Sequence, residues 1–343
     1  MTKNQKISVV IAGVRYKEFD IKYTVDILRE YFNNPEIILS TNDKLFAEHY
    51  KKNNHFDKVI FCENEGELPS LKFPDKLDST VVNNNINKQI SCCYLGIKNA
   101  TYPLVMKLRT DQIILNNDIL ALWSLIDQIP QSSEARNKRV ITSSVFSINP
   151  RYSERMPFHI SDMFQFGYKE DLLNYYSAPA YPFKYSIWYE KNIHRIGSNR
   201  YEKAFRSKYA VEQWLALHYI YKNERDFPIA FHNDHSEKIV DEFESVFPEY
   251  FIVAHPDDIG LRVSKFESAR SYFNTQCYST YESIELLKKI HPDVLIKNVY
   301  KPKGISKDKY RYIRWILGLK IVQLAIKNIP FSLKEYLKKK FLT

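Results

Sequence analysis

The first hundred residues alternate between two hydrophobic periods. ISVVIAG (7–13) is an unbroken apolar run, the pattern of a strand buried on both faces. Ile21, Val25, Leu28 and Phe32 then recur at helical spacing, with Asp20 placed to cap the first turn. EIILST (36–41) and DKVIF (57–61) repeat the strand pattern around the helical DKLFAEHYKK. Ile90, Cys93, Tyr94 and Ile97 mark another helix before LVMKL. This order predicts an α/β fold with a mostly parallel sheet and helices on both faces. Ligands of such sheets bind beyond the carboxyl ends of the strands. Further along, residues 117–129 read as a helix, 138–148 as a strand, 164–176 as a strand tip entering a helix, and 209–223 as an apolar helix. The aromatic stretch 175–192 reads as a loop with its own packing.

Composition narrows the class. A chain of 343 residues with 44% apolar content buries a sizeable core. Only 8 glycines occur, and neither G-x-G-x-x-G nor G-x-x-x-x-G-K-[ST] is present, which removes the main support for dinucleotide and P-loop readings. Cys62, Cys92, Cys93 and Cys277 include no C-x-x-C, so a reducing compartment fits better than a zinc or disulfide framework. The run after Lys3 and Lys6 is short and lacks a small-residue cleavage site, so it reads as a first strand rather than a signal peptide. No run of about 18 apolar residues suggests a membrane span. The net charge is +10, and residues 301–343 hold 12 basic and 2 acidic residues, the whole excess. The chain divides accordingly into a globular part, 1–300, and a basic tail, 301–343. A basic pI of about 9.1 and 25 tyrosines raise a nucleic-acid partner, but the charge is confined to the tail and no RNP-like or zinc-finger spacing occurs, so none is expected.

The candidate chemistry centres on LVMKLRTDQI (104–113). Strand alternation would put Val105, Lys107, Arg109 and Asp111 on one face. Asp111 reads either as a strand-end carboxylate paired with Arg109 or as a ligand for magnesium or manganese on a nucleotide diphosphate, with the cations neutralising phosphate charge. Asn87, Lys88 and Gln89 open the preceding helix, as a polar N-terminus or as contacts to nucleotide and sugar. Arg15, after the first strand, either touches a diphosphate or lies on the surface.

ISVVIAG, EIILST, NNNINKQISCCYLGIKNA, VMKLRTD and DMFQFG, in this order over residues 7–220, resemble the WavE family of bacterial lipopolysaccharide-synthesis proteins. The resemblance implies a glycosyltransferase-like, GT-A-type, Rossmann-like sheet flanked by helices. In the GT-A pattern a strand ends in D-x-D, which holds metal and nucleotide-sugar; here Arg109 stands at the first position and Asp111 at the second. Ala12 stands where the family commonly has Gln. An inverting transfer also requires a carboxylate base for the acceptor hydroxyl. The resemblance of VEQWL (211–215) to an acid at a helix start makes Glu212 the candidate, with Asp162 in SDMFQFG as rival. Each also has a plain reading, as a dipole-favoured Glu or a turn cap. His255, followed by Asp257 and Asp258, is the candidate late metal ligand, and His218 reads as a core residue.

The implied function is transfer from a nucleotide-sugar donor to a lipid-linked or lipopolysaccharide acceptor during core, O-antigen or capsule synthesis, inverting and assisted by manganese or magnesium. Residues 310–329 and the closing YLKKKFL read as an amphipathic, polybasic element for an anionic membrane surface, or as a packed helix with a solvated end. The expected place is the inner face of the bacterial inner membrane, reached from the cytoplasm. The missing first Asp keeps a non-catalytic scaffold open.

Overall fold

A computed structural model describes residues 6–63, 66–74, 84–151, 155–263, 277–292, 316, 319–330, 332, 333 and 336. The elements follow in chain order: β1 Ile7–Ala12, α1 Ile21–Tyr31, β2 Glu36–Thr41, α2 Lys44–Lys51, β3 Lys58–Phe61, α3 Ile86–Lys98, β4 Leu104–Arg109, β5 Gln112–Ile114 and α4 Asp118–Ile126. Then come β6 Val140–Ser143, β7 Gln165–Tyr168, α5 Lys169–Tyr176, the single turns α6 Phe183–Ser186, α7 Trp188–Lys191 and α8 Arg200–Lys203, and α9 Val211–Ile220. α10 Glu237–Tyr250, β8 Phe251–Ala254, β9 Leu261–Val263, α11 Thr280–Ile290 and α12 Lys320–Asn328 complete them.

Seven strands form one sheet in the order β3-β2-β1-β4-β7-β6-β8. β7 runs antiparallel to both its neighbours, and every other pairing is parallel. β5 and β9 form a separate antiparallel pair. Alternate strand residues build two cores. Val9, Ile11, Met106 and Leu108 meet α1, α2 and α4 on one face, while Val10, Ala12 and Val105 meet α3, α5, α9 and α10 on the other. The expected α/β sheet, mostly parallel and covered on both faces, is the architecture observed. Asp20 caps α1 through the backbone N–H groups of Lys22 and Tyr23, as the sequence implies. Gly96 lets α3 lie on the sheet, because a Cβ there would meet Val10 Cγ1 at 2.6 Å.

One expectation changes. The strand foreseen over 138–148 is confined to Val140–Ser143. Beyond it, serine side chains capture local backbone: Ser143 Oγ accepts the Val145 N–H, and Ser147 Oγ donates to the Ser143 carbonyl at 2.7 Å. Such bonds compete with a ladder and turn the chain. Of the tail, α12 and a few neighbouring residues are described, with Ile321 and Leu324 exposed. Residues 301–315 and 337–343, with most of the basic charge, lie outside the described residues.

One row across the second face is not apolar. Val10, Lys107, Gln165, Thr142 and Val253 stand opposite one another on β1, β4, β7, β6 and β8. Lys107 is only 1% exposed. Its Nζ donates to the Asp162 carbonyl at 2.5 Å and lies over the Tyr176 ring. A buried ammonium requires both hydrogen bonding and a counter-charge, and the Asp162 carboxyl supplies the latter. At the opposite end of the sheet, Glu36 accepts from Lys58 Nζ, Ser8 Oγ and the Thr101 backbone N–H and hydroxyl. Burial alone would raise its pKa, but these donors outweigh it and hold the carboxyl at about 2.

Lys107→Met should lower the unfolding free energy by about 3–5 kcal/mol, because it strands a buried carboxyl. In urea titrations, Lys107→Met with Asp162→Asn should cost clearly less than the sum of the single changes; simple additivity would sink the pairing. A depressed carboxyl contributes stability above its unfolded pKa of 4.5 and loses it as pH falls towards about 2. Glu36→Gln should therefore cost about 2 kcal/mol at neutral pH, and its deficit should vanish in acid.

Candidate functional site

Because β7 is antiparallel, the segment leading into it arrives at the sheet edge where its parallel neighbours end. The loop after β1, the turn after β4, the segment after β6 and the approach to β7 therefore share one edge. Sequence positions from 13 to 162 converge there.

The end of β4 is built around Arg109. Its Nε and Nη2 donate to Asp111 Oδ1 at 2.8 Å and Oδ2 at 2.9 Å, a two-pronged ion pair. Nη2 also donates to the Tyr16 hydroxyl at 3.2 Å. Burial opposes the guanidinium charge, yet Asp111, Tyr16 and Asp162 outweigh it and raise its pKa. The Arg109 side chain stays 26% exposed while that of Asp111 is wholly buried. Thr110 Oγ1 donates to the Val14 carbonyl at 2.6 Å and locks the β1–α1 loop to this turn. Gly13 permits the approach: its φ is +138°, and a Cβ would lie 2.9 Å from Thr110 Oγ1. Asp111 is thus in a turn past β4 and is aimed by Arg109, where alternation along a continuing strand had been expected to orient it.

Gln89, in the first turn of α3, donates through Nε2 to Asp162 Oδ2. Burial raises the Asp162 pKa; Lys107 and Arg109 pull it down, Glu212 pushes it up, and the net direction is upward. The sequence candidates Gln89, Lys107, Arg109, Asp111, Asp162 and Glu212 thereby form one linked group of charges and hydrogen bonds. Lys107 is the sealed base of this group, beneath Asp162 and 1% exposed, so it is not placed to meet a ligand directly.

Glu212 lies in the first turn of α9, where the helix dipole favours a carboxylate. Gln213 fixes this turn: its Oε1 accepts the Ala210 N–H, and its Nε2 donates to the Pro157 and His232 carbonyls at 2.7 and 2.8 Å. Glu212 Oε2 is 3.4 Å from His159 Nε2. His159 Nδ1 is 2.8 Å from the Phe146 carbonyl; a carbonyl only accepts, so Nδ1 carries a proton and Nε2 faces the carboxylate. The backbone around this contact is strained. Phe146, which supplies the carbonyl, has φ +65°, and Phe158, directly before His159, has φ +63°. Left-handed backbone at bulky residues costs about 1–3 kcal/mol each and concentrates at functional sites. His159 is the residue that sequence reasoning missed. Nothing in FHIS marks it, since its partners come from positions 146 and 212.

The remaining candidates fall differently. Asn87 Oδ1 accepts the Tyr181 N–H at 2.7 Å and so anchors the aromatic loop. Lys88 pairs with Glu67 at 3.0 Å. Arg15 is exposed and contributes to the field at Tyr50. His255 follows β8, at the far edge of the sheet, and its Nδ1 accepts the Asp257 N–H at 3.2 Å. His218 is packed against Trp214 and Phe227, and burial holds its pKa at about 4, as suits a core histidine. Among the described residues no three His, Cys, Asp or Glu side chains form a group able to hold a metal. Both Asp111 oxygens already engage Arg109. This donor set does not fit the divalent ion implied by D-x-D, since a guanidinium occupies the cation's place.

Four aligned solved structures illustrate the comparisons. S. aureus TarS 1–349 in complex with UDP-GlcNAc aligns over 94% of this chain and 82% of that chain, at 11% identity and a TM-score of 0.30. This chain spans 50% of a longer S. aureus TarS structure, with 96% of its own length aligned at 11% identity and a TM-score of 0.32. The glycosyltransferase GlyE of Streptococcus pneumoniae TIGR4 aligns over 50% of this chain and 36% of that chain, at 10% identity and a TM-score of 0.24. A 4-diphosphocytidyl-2C-methyl-D-erythritol synthase aligns over 52% and 82%, at 13% and 0.26. At such scores the alignments carry no argument. No curated protein matches the sequence significantly. The family described as WavE lipopolysaccharide synthesis, by contrast, matches residues 7–324. With nearly its whole length matched, the chain belongs to the WavE lipopolysaccharide synthesis family.

Proposed function

We propose that the protein transfers a sugar from a nucleotide-sugar donor to a saccharide acceptor in lipopolysaccharide or related surface-polysaccharide synthesis. The observation that carries this reading is the grouping at one sheet edge of a fixed, part-exposed guanidinium with two acids of different environment. Family membership supplies the biological setting.

In the proposed reaction the acceptor hydroxyl attacks the anomeric carbon as its proton passes to Glu212. The new carbon–oxygen bond forms while the bond from the anomeric carbon to the diphosphate oxygen breaks. That electron pair leaves on the diphosphate, whose growing charge Arg109 neutralises. Asp111 and Tyr16 hold Arg109 in place, the role a D-x-D metal would fill. Glu212 suits the base better than Asp162: its side chain is 22% exposed, whereas Asp162 is buried between Gln89 and Lys107. His159 is a positioning residue: as an imidazolium, held through Nδ1–H by the Phe146 carbonyl, it turns Nε2–H toward Glu212 and orients the carboxyl. The acceptor is proposed to be lipid-linked, met at the inner membrane face with help from residues 301–343. α12 supports this with exposed Ile321 and Leu324, and no described helix is long and apolar enough to cross a membrane.

The test is transfer of labelled sugar from UDP-, GDP-, CDP- and CMP-linked donors to lipopolysaccharide-core and lipid-linked acceptors, with EDTA or with manganese. Glu212→Gln should lower transfer by about 10²–10⁴-fold, with nucleotide binding retained, and wild-type transfer should persist in EDTA. Undiminished transfer by Glu212→Gln removes the base. Loss in EDTA with rescue by manganese returns Asp111 to a metal-ligand role. No transfer from any donor favours a non-catalytic scaffold.

A further inference from the structure

The segment carrying His159 leads, four residues earlier, to a second polar cavity. Arg155, Arg195, Ile196, Gly197, Ser198, Asn233 and His235 line a volume of about 190 Å³. Arg155 pairs with Glu202 through Nε and Nη2, and Nη2 also donates to the Gly197 carbonyl at 3.0 Å. Arg195 is held loosely: its Nη1 is 3.7 Å from Asp234 and 3.5 Å from His235 Nδ1, and its side chain is 41% exposed. Asn233 is buried and donates to Ser198 Oγ at 2.8 Å, yet its Oδ1 accepts no hydrogen bond among the described residues. The cavity thus offers a part-exposed guanidinium for an anion and a buried acceptor for a donor group.

Its rim is apolar and projects outward. Ile193 is 96% exposed and Ile196 is 99% exposed. The loop beneath them is pinned. His194 stacks on Tyr189 with ring centroids 3.7 Å apart and approaches the Phe205 carbonyl through Nε2 at 2.9 Å. The Ser198 N–H donates to the Arg195 carbonyl, closing a turn. Residues 188–208 contain six Lys and Arg against two Glu. Two aliphatic side chains at full exposure, with Arg195 between them in a segment of net positive charge, match an anionic lipid interface: apolar groups for the acyl boundary, cations for the phosphates.

We propose that the loop 191–198 docks on an anionic membrane, with Ile193 and Ile196 entering the headgroup layer and the Arg155–Arg195 cavity taking a lipid phosphodiester. A headgroup hydroxyl would donate to Asn233 Oδ1. This docking surface is separate from the tail and does not depend on the transfer chemistry. It would bring a lipid-borne acceptor beside the Glu212 turn, because Gln213 ties that turn to Pro157 and to His232, the neighbour of Asn233.

All four cysteines are buried, so Ile196→Cys in the full chain can carry a single nitroxide label. On phosphatidylglycerol vesicles the label should gain oxygen accessibility and lose nickel accessibility, with no change on phosphatidylcholine. Arg195→Glu should weaken sedimentation with phosphatidylglycerol vesicles about fivefold, and Ile193→Asp about tenfold. A label that keeps its aqueous accessibility while the protein sediments would assign docking to another surface and overturn the proposal. Failure to bind the vesicles would overturn it too. If inorganic phosphate stabilises wild type but not Arg195→Glu, and the label stays aqueous on vesicles, the cavity is a soluble-phosphate site and the lipid assignment falls.

Discussion

A lysine sealed inside the sheet's helical face sets the terms for everything around it. Lys107 stands mid-strand between Val10 and Gln165, with almost no solvent contact. An ammonium there is tolerable only with an oxygen to bond and a negative charge nearby. Asp162 answers both needs, its carbonyl to Nζ and its carboxyl in the surrounding field. That requirement fixes the chain just before β7 under α3 and α9. Gln89 then reaches Asp162 from α3, and Glu212 faces it from α9. Because β7 is antiparallel, the constrained segment lies at the carboxyl edge of β4, beside Arg109. Fold and site meet in this one buried charge.

Much of this was legible in the sequence. β1, α1, β2, α2 and α3 follow from hydrophobic period and capping residues, because both are local signals. The site candidates Arg109, Asp111, Asp162, Glu212 and Gln89 are also readable as polar residues at strand or helix ends. What was not legible depends on partners distant in sequence. Lys107 reads as one of two cations lined up with Asp111 for a diphosphate until its burial is seen. Asp111 follows alternation only if the strand continues, and it stops at Arg109. His159 acquires a role only through the Phe146 carbonyl and Glu212, brought together by two left-handed phenylalanines that no pattern of hydrophobicity reveals.

The replacement of a D-x-D acid by Arg109 gains a physical meaning in this setting. A carboxylate pair at a strand end would need a divalent ion to hold two like charges together. An arginine–aspartate pair is already neutral, keeps its geometry through two hydrogen bonds and leaves the arginine side chain part-exposed at the edge. Tyr16 and the Thr110–Val14 bond fasten the β1–α1 loop to the same point. For the proposed transfer, a guanidinium held in this way would meet the charge that grows on a leaving diphosphate without having to reorganise.

The proposed transfer requires Arg109 at the end of β4 to receive a nucleoside diphosphate. Calorimetric titration of UDP, GDP and CDP into wild type and Arg109→Ala, in chelator and without added metal, addresses it directly. One nucleotide should bind wild type, and Arg109→Ala should bind it at least about tenfold more weakly, the loss expected of a charge-assisted hydrogen bond. Equal affinity in the two proteins, or binding to wild type only when a divalent metal is added, would contradict the account.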